Sequence, residues 1–200
     1  MIHPQTSLRY INDVVGYGVF AKAFIPKGTV IQAHDALEIE IPEVVYEQYD
    51  ASIKQYAQKY AYINAEGTRV VSWDFAKYTN HCCDSNTLCT GYGFDLVIRD
   101  IEEGEEITCE YGPLNVETEM PLECARPGCR GLYSPTDFEK YHSVWDEKIK
   151  NALVHFREVE QPLLVFLEVK TLGQIGDFLM DNHQYQSVTN LKWHTKTVLV

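Results

Sequence analysis

The chain has 200 residues and a formal net charge of −12, with 45% hydrophobic and 12% aromatic residues. That length and apolar content suffice for a folded core and exclude a disordered tail; no run approaches the roughly 18 apolar residues of a membrane span. The negative charge argues against nucleic-acid binding as the main role, since phosphates would be repelled, and suits a basic protein or peptide partner.

In chain order, Leu8 to Gln32 alternates β-type runs with turns at Asn12-Asp13 and Gly16-Tyr17-Gly18. Ile25-Pro26-Lys27-Gly28-Thr29 puts proline and glycine where a tight turn needs them, and Val30-Ile31 opens another strand. Between about 42 and 62, Val44, Val45, Tyr49, Ile53, Tyr56 and Tyr60 are spaced for a helix. Strands return at Thr68–Trp73, at Phe94–Ile98 and, after the acidic turn Ile101–Glu106, at Ile107–Tyr111. Pro113–Arg130 reads as a loop with two cysteines. Ser134-Pro135-Thr136-Asp137 is a helix start, and Phe138, Tyr141, Trp145, Ile149, Ala152 and Phe156 then share one face. Leu163–Leu167 fits strand or helix, and Ile175–Met180 a short helix. Many short strands broken by a helical insert and followed by helices predict an α+β fold.

Six cysteines stand at 82, 83, 89, 109, 124 and 129. Residues 1–10 lack the basic-then-apolar layout of a secretory signal, so a cytoplasmic or nuclear protein is expected. In that setting the cysteines read as metal ligands or buried thiols rather than disulfides.

Two stretches stand out: Lys77-Tyr78-Thr79-Asn80-His81-Cys82-Cys83-Asp84-Ser85-Asn86 and Gly104-Glu105-Glu106-Ile107-Thr108-Cys109-Glu110-Tyr111-Gly112. In type, order and spacing they resemble the two signature motifs of the SET-domain family of protein-lysine methyltransferases. Gly16-Tyr17-Gly18-Val19-Phe20-Ala21 is similar to that family's glycine loop. Taken alone, Gly-x-Gly is a weak signal that also fits a hairpin turn, and no phosphate-binding helix follows it. Lys77 and Ser85 stand where the family has arginine and proline. Over about residues 8–131 the resemblance implies a β-rich SET domain at 1–112 with its helical insert, a post-SET-like cysteine loop at 113–133, and a mainly helical C-terminal extension at 134–200.

The resemblance also implies chemistry. Gly16, Tyr17, Gly18, Tyr78, Asn80 and His81 would bind S-adenosylmethionine, and Tyr111 would be the catalytic tyrosine. Cys109 replaces the aromatic residue that helps set the number of methyl groups transferred, and its smaller volume leaves room for higher methylation states. Glu123-Cys124-Ala125-Arg126-Pro127-Gly128-Cys129-Arg130-Gly131 is similar to the post-SET segment. Cys83, Cys124 and Cys129 would hold zinc, while Leu122 occupies the place of one family cysteine. Water, Cys82, a histidine or a carboxylate is left to complete the four-coordinate shell. The implied activity is methylation of a protein lysine, with a histone tail among the candidate substrates. A SET scaffold serving as a non-catalytic binding module, or acting on a small molecule, are the alternatives.

Overall fold

The structure is a computed structural model that describes residues 1–122, 124, 126–181 and 184–194. Glu123 and Ala125 of the cysteine loop and residues 195–200 of the C-terminal extension lie outside them. β1 (Thr6–Asn12) and β2 (Gly16–Ala21) form an antiparallel hairpin whose turn places Gly16 at φ 81°, a backbone region that favours glycine. β3 (Val30–Ala33) follows, then β4 (Ile39–Ile41), the helices α1 (Glu43–Tyr46) and α2 (Ala51–Tyr60), β5 (Ala61–Ile63) and β6 (Arg69–Val71). Asp50 caps α2 by accepting hydrogen bonds from the backbone N–H groups of Ser52 and Ile53. β4, β6 and β5 make a small antiparallel sheet, so the insert carries strands as well as helices.

β7 (Asn80–His81), β8 (Thr87–Cys89), β9 (Phe94–Val97) and β10 (Glu106–Cys109) complete a seven-stranded sheet in the order β1-β2-β10-β8-β9-β3, with β7 pairing β10 off that path. β10 runs antiparallel to β2 but parallel to β7 and β8, with Thr108 opposite Asn80 and Cys109 opposite His81. This register brings two segments nearly thirty residues apart in sequence side by side. The strand expected over 107–111 ends at Cys109, because Tyr111–Leu114 turns into a short 3₁₀ segment.

β11 (Met120–Pro121) and β12 (Leu132–Tyr133) close a hairpin around the cysteine loop. α3 (Asp137–Leu153) and α4 (Val169–Met180) follow. Ser134 and Asp137 do meet at the start of α3: the Ser134 N–H donates to the Asp137 carboxylate at 3.2 Å and the Ser134 carbonyl accepts from the Asp137 N–H at 2.8 Å. The helix begins after this turn, at Asp137. Leu163–Leu167 is neither strand nor long helix but contains a single 3₁₀ turn.

The apolar face of α3 is buried. Phe138, Trp145, Ile149, Ala152 and Leu153, with Ile175 and Phe178 of α4, share one core with Val30, Leu88, Phe94 and Leu96 of the sheet. At roughly 25 cal/mol per Å² of buried apolar surface, large side chains such as these supply about 1.5–3 kcal/mol each. A second core beneath the sheet gathers Val19, Ile25, Ile31, Val97, Ile101 and Ile107. Asp146 of α3 anchors the segment beyond α4, accepting hydrogen bonds from Tyr185, Ser187 and the Val188 N–H. No helix among the described residues is long and apolar enough to cross a membrane.

Candidate functional site

β10 delivers Tyr111 to the centre of the molecule. Its hydroxyl donates to the Thr79 carbonyl at 2.9 Å, and its backbone N–H donates to His81 Nδ1 at 3.2 Å. Burial, with smaller contributions from Cys109 and Glu106, holds the phenol protonated well above its usual range. The His81 ring stands edge-on to the Tyr111 ring with centroids 5.2 Å apart, and burial followed by the Arg130 charge lowers its pKa to about 4. An Nδ1 that accepts from Tyr111 leaves the imidazole proton on Nε2, which faces Cys83 Sγ at 3.3 Å.

Asn80 spends both amide hydrogens inside the protein. Nδ2 donates to the Tyr17 carbonyl at 3.1 Å and to Glu106 Oε1 at 2.8 Å, so it ties the glycine loop to β10. A Cβ at position 18 would collide with Glu106, Ile11 and Asn80, which explains the second glycine of the loop. The Tyr17 and Tyr78 rings meet at 5.8 Å, and those of Tyr78 and Tyr60 at 5.5 Å. A cavity of about 770 Å³ opens here. Gly16, Tyr17, Tyr78 and Asn80 border it, as do Cys109 and Tyr111; Gly18 and His81 stand behind its wall.

The cysteine loop packs against the same turn. Cys83 Sγ accepts a hydrogen bond from the Arg130 N–H, Cys124 Sγ from the Cys83 N–H and Cys129 Sγ from the Gly131 N–H, each at 3.4 Å. His81, Cys83 and Cys124 offer ligand atoms within 4.8 Å of one another, a group that does not include the Cys129 sulfur. Burial pushes the Cys83 thiol up to about 11, whereas the Gly131 N–H lowers that of Cys129. The Leu122 side chain is buried, and its carbonyl accepts from Cys129 at 3.6 Å.

Glu110 and Arg130 carry a role that motif reading missed. Arg130 Nη2 bonds Glu110 Oε1 at 2.7 Å, and the same oxygen accepts the Gly112 N–H at 3.0 Å. Burial raises the Glu110 pKa despite the Arg130 charge. Arg130 also lies over the Tyr141 ring at 4.9 Å and 3.7 Å from Asp137. One guanidinium thus links the cysteine loop, the Tyr111 turn and α3. The only sequence signal was its place directly after Cys129.

The SET-domain family model matches residues 16–112, the segment that contains the glycine loop, β7 and the Tyr111 turn. This part of the chain belongs to the SET-domain family. Its sequence is 30% identical over 135 residues to a Dictyostelium discoideum protein described as histone-lysine N-methyltransferase set1, a match over 60% of this chain and 9% of that protein. The chain therefore corresponds to a small part of the curated relative it matches. A crystal structure of a Plasmodium falciparum protein, assigned provisionally as a histone methyltransferase, aligns over 56% of this chain and 96% of its own, at 16% identity and a TM-score of 0.40.

A SET domain calls for S-adenosylmethionine, and the cavity suits it in two respects. Its volume lies within the roughly 300–1,000 Å³ of small-molecule sites, and the side chains of Tyr17, Tyr60 and Tyr78 give it an aromatic lining with polar tips. The cysteine cluster suits zinc in its chemistry: Cys83 and Cys124 hold their sulfurs within 4.8 Å of each other, none of the cysteines is in a disulfide, and Cys83, Cys124 and Cys129 each receive a backbone N–H that favours thiolate. His81 does not complete that set while its Nδ1 accepts from Tyr111; it supports Cys83 from outside, as a hydrogen-bond donor.

Proposed function

We propose that this chain is an S-adenosylmethionine-dependent methyltransferase acting on a protein lysine. The observation that carries the reading is that Tyr111, Asn80, Tyr17 and Tyr78 border one cavity, brought together by the parallel pairing of β10 with β7. Gly16, Tyr17, Tyr78 and Asn80 are the cofactor-facing residues, with Gly18 and His81 shaping the wall behind them. The cofactor supplies an electrophilic methyl group on sulfur.

The protein must present a neutral amine in line with that methyl. A free lysine has a pKa near 10.4, so neutralising it near pH 7.4 costs three units, about 4 kcal/mol. Exclusion of water and a neighbouring cation both lower that pKa. Tyr111, kept protonated by burial and aligned by Thr79, orients the reacting groups without adding charge. Cys109 leaves space beside it for an amine already carrying methyl groups. Cys83, Cys124 and Cys129 are the zinc ligands, with the fourth position open to water or another donor.

The net charge of −12 supports a basic substrate. The similarity to a Dictyostelium histone-lysine N-methyltransferase supports a histone and, with it, a nuclear site of action. The deciding experiment incubates the purified chain with methyl-labelled S-adenosylmethionine and core histones or basic peptides, alongside calorimetric titration of the cofactor. Label on lysine, together with micromolar cofactor binding that Asn80→Ala weakens, supports the reading. A folded chain that neither binds the cofactor nor transfers label overturns it.

A further inference from the structure

The far end of the cavity holds carboxylates for which the reading above has no use. Asp95 of β9 stands opposite Cys89 of β8 and beside Gln32 of β3, and it borders the same space as Cys109 and Tyr111. Its charge acts on the buried Cys89 thiol, and among the described residues no ion pair joins it to a lysine or arginine. Glu38, just before β4, also borders the cavity. Its side chain is only 2% exposed; Oε1 lies 3.5 Å from the N-terminal amine, and Oε2 is buried with no hydrogen-bond partner. The Tyr62 hydroxyl of β5 lies in the field of both carboxylates.

The N-terminal ammonium reaches only one oxygen of Glu38 and acts on Asp95 from farther off, and a buried acid so weakly compensated is costly. The basic side chains around the cavity are engaged elsewhere. Lys77 Nζ donates to the Ser72 and Trp73 carbonyls, Lys59 Nζ lies over the Tyr60 ring, and His34 is 3.7 Å from Glu40. The Asp95 charge reaches the Cys109 thiol and adds to burial in keeping it protonated, and both side chains border the cavity.

We propose that Asp95 and Glu38 form a cation-accepting end of this cavity, which takes up the alkylammonium group of the substrate and selects it over a neutral group of the same shape. The inference rests on the methyltransferase reading for the identity of the substrate, a lysine side chain, but the site itself stands on the cavity and its acids. They dock the ammonium form in which a lysine, methylated or not, arrives; because carboxylates favour that charged form, the amine leaves them and gives up its proton to solvent before it meets the methyl group at Tyr111.

The test titrates the full chain with n-butylammonium, which reproduces the end of a lysine, and with neutral n-butanol, following the amide resonances of Glu38, Tyr62 and Asp95. The expected result is saturable cation binding at least about tenfold tighter than that of the alcohol, falling about tenfold in Asp95→Asn and in Glu38→Gln, the loss of one charged hydrogen bond. Melting temperature checks each variant, and if Asp95→Asn does not fold, Glu38→Gln decides. Equal binding of cation and alcohol, or wild-type cation affinity in the folded variants, overturns the proposal. In a parallel lysine-peptide assay the variants should raise KM more than they lower kcat. Cation selectivity in a wild type that transfers no methyl would sink the methyltransferase reading alone; methyl transfer with unchanged KM and cation affinity in both variants would sink the acidic site alone.

Discussion

Tyr111 is held from two sides, by Thr79 through its hydroxyl and by His81 through its backbone, so removal of the hydroxyl leaves the ring's position largely set. Tyr111→Phe is expected to lower kcat by about 10²-fold or more, in the range seen when one preorganised donor is removed from an active site, while leaving cofactor affinity within about twofold. Single-turnover rates measured beside calorimetry separate the two quantities. A variant with wild-type turnover would exclude the hydroxyl from the transfer step. Asn80 illustrates how a side chain's job can be hidden in sequence. The Asn80-His81 pair announces the family, but the two hydrogen bonds of the Asn80 amide go to Tyr17 and Glu106, across 63 and 26 residues. No local pattern specifies partners so far away. His81 likewise divides its ring between the Tyr111 backbone and Cys83, a duty visible only once β7 and β10 are paired.

Among elements, the turn after β10 is where three parts of the molecule converge. Gly112 packs directly under the Trp145 ring of α3, and a Cβ there would overlap the indole. Gly112→Ala is expected to cost about 1–3 kcal/mol by overpacking, and to depress methyl transfer further than the lost stability explains, because the displaced turn carries Tyr111. Comparing the fall in melting temperature with the fall in kcat of the folded fraction checks this; a stability loss with kcat intact would mean that the turn and the helix are mechanically separate. The cysteine loop meets the same turn through Arg130 and Glu110. Metal removal should therefore be felt at Tyr111. One zinc per chain is expected, lost in Cys124→Ser, and chelation should lower the melting temperature by at least about 5 °C, since a ligand bound only by the folded state stabilises it. Metal analysis with thermal unfolding in the presence of a chelator tests it. A metal-free chain with unchanged melting temperature would leave the sulfurs as plain thiols.

For the molecule as a whole, the sequence showed the parts that repeat locally and concealed those that depend on assembly. Alternating strands, a helix within about 42–62 and the α3 stripe at Phe138, Trp145 and Ile149 follow from spacing. The two motifs identified the SET domain. Nothing local indicated that Leu163–Leu167 would be a 3₁₀ turn, since a short apolar run fits strand or helix until packing decides. Nor could periodicity reveal that Asp95, in a strand read as Phe94–Ile98, faces a cavity rather than solvent, because alternation fixes the face and not what lies beyond it. Charge was legible from the outset, and it bears on how a substrate arrives. With a net charge of −12, a basic peptide is drawn in by long-range attraction that salt screens over about 10 Å at 0.1 M. The kcat/KM for a lysine- and arginine-rich peptide should thus fall several-fold between 50 and 300 mM salt, roughly, through KM, while kcat stays level because the buried groups around Tyr111 are screened far less. A neutral peptide carrying one lysine should show a much shallower dependence. Steady-state assays of both peptides across that range measure the contrast; equal slopes would mean that the acidic surface serves solubility and that recognition is confined to the cavity.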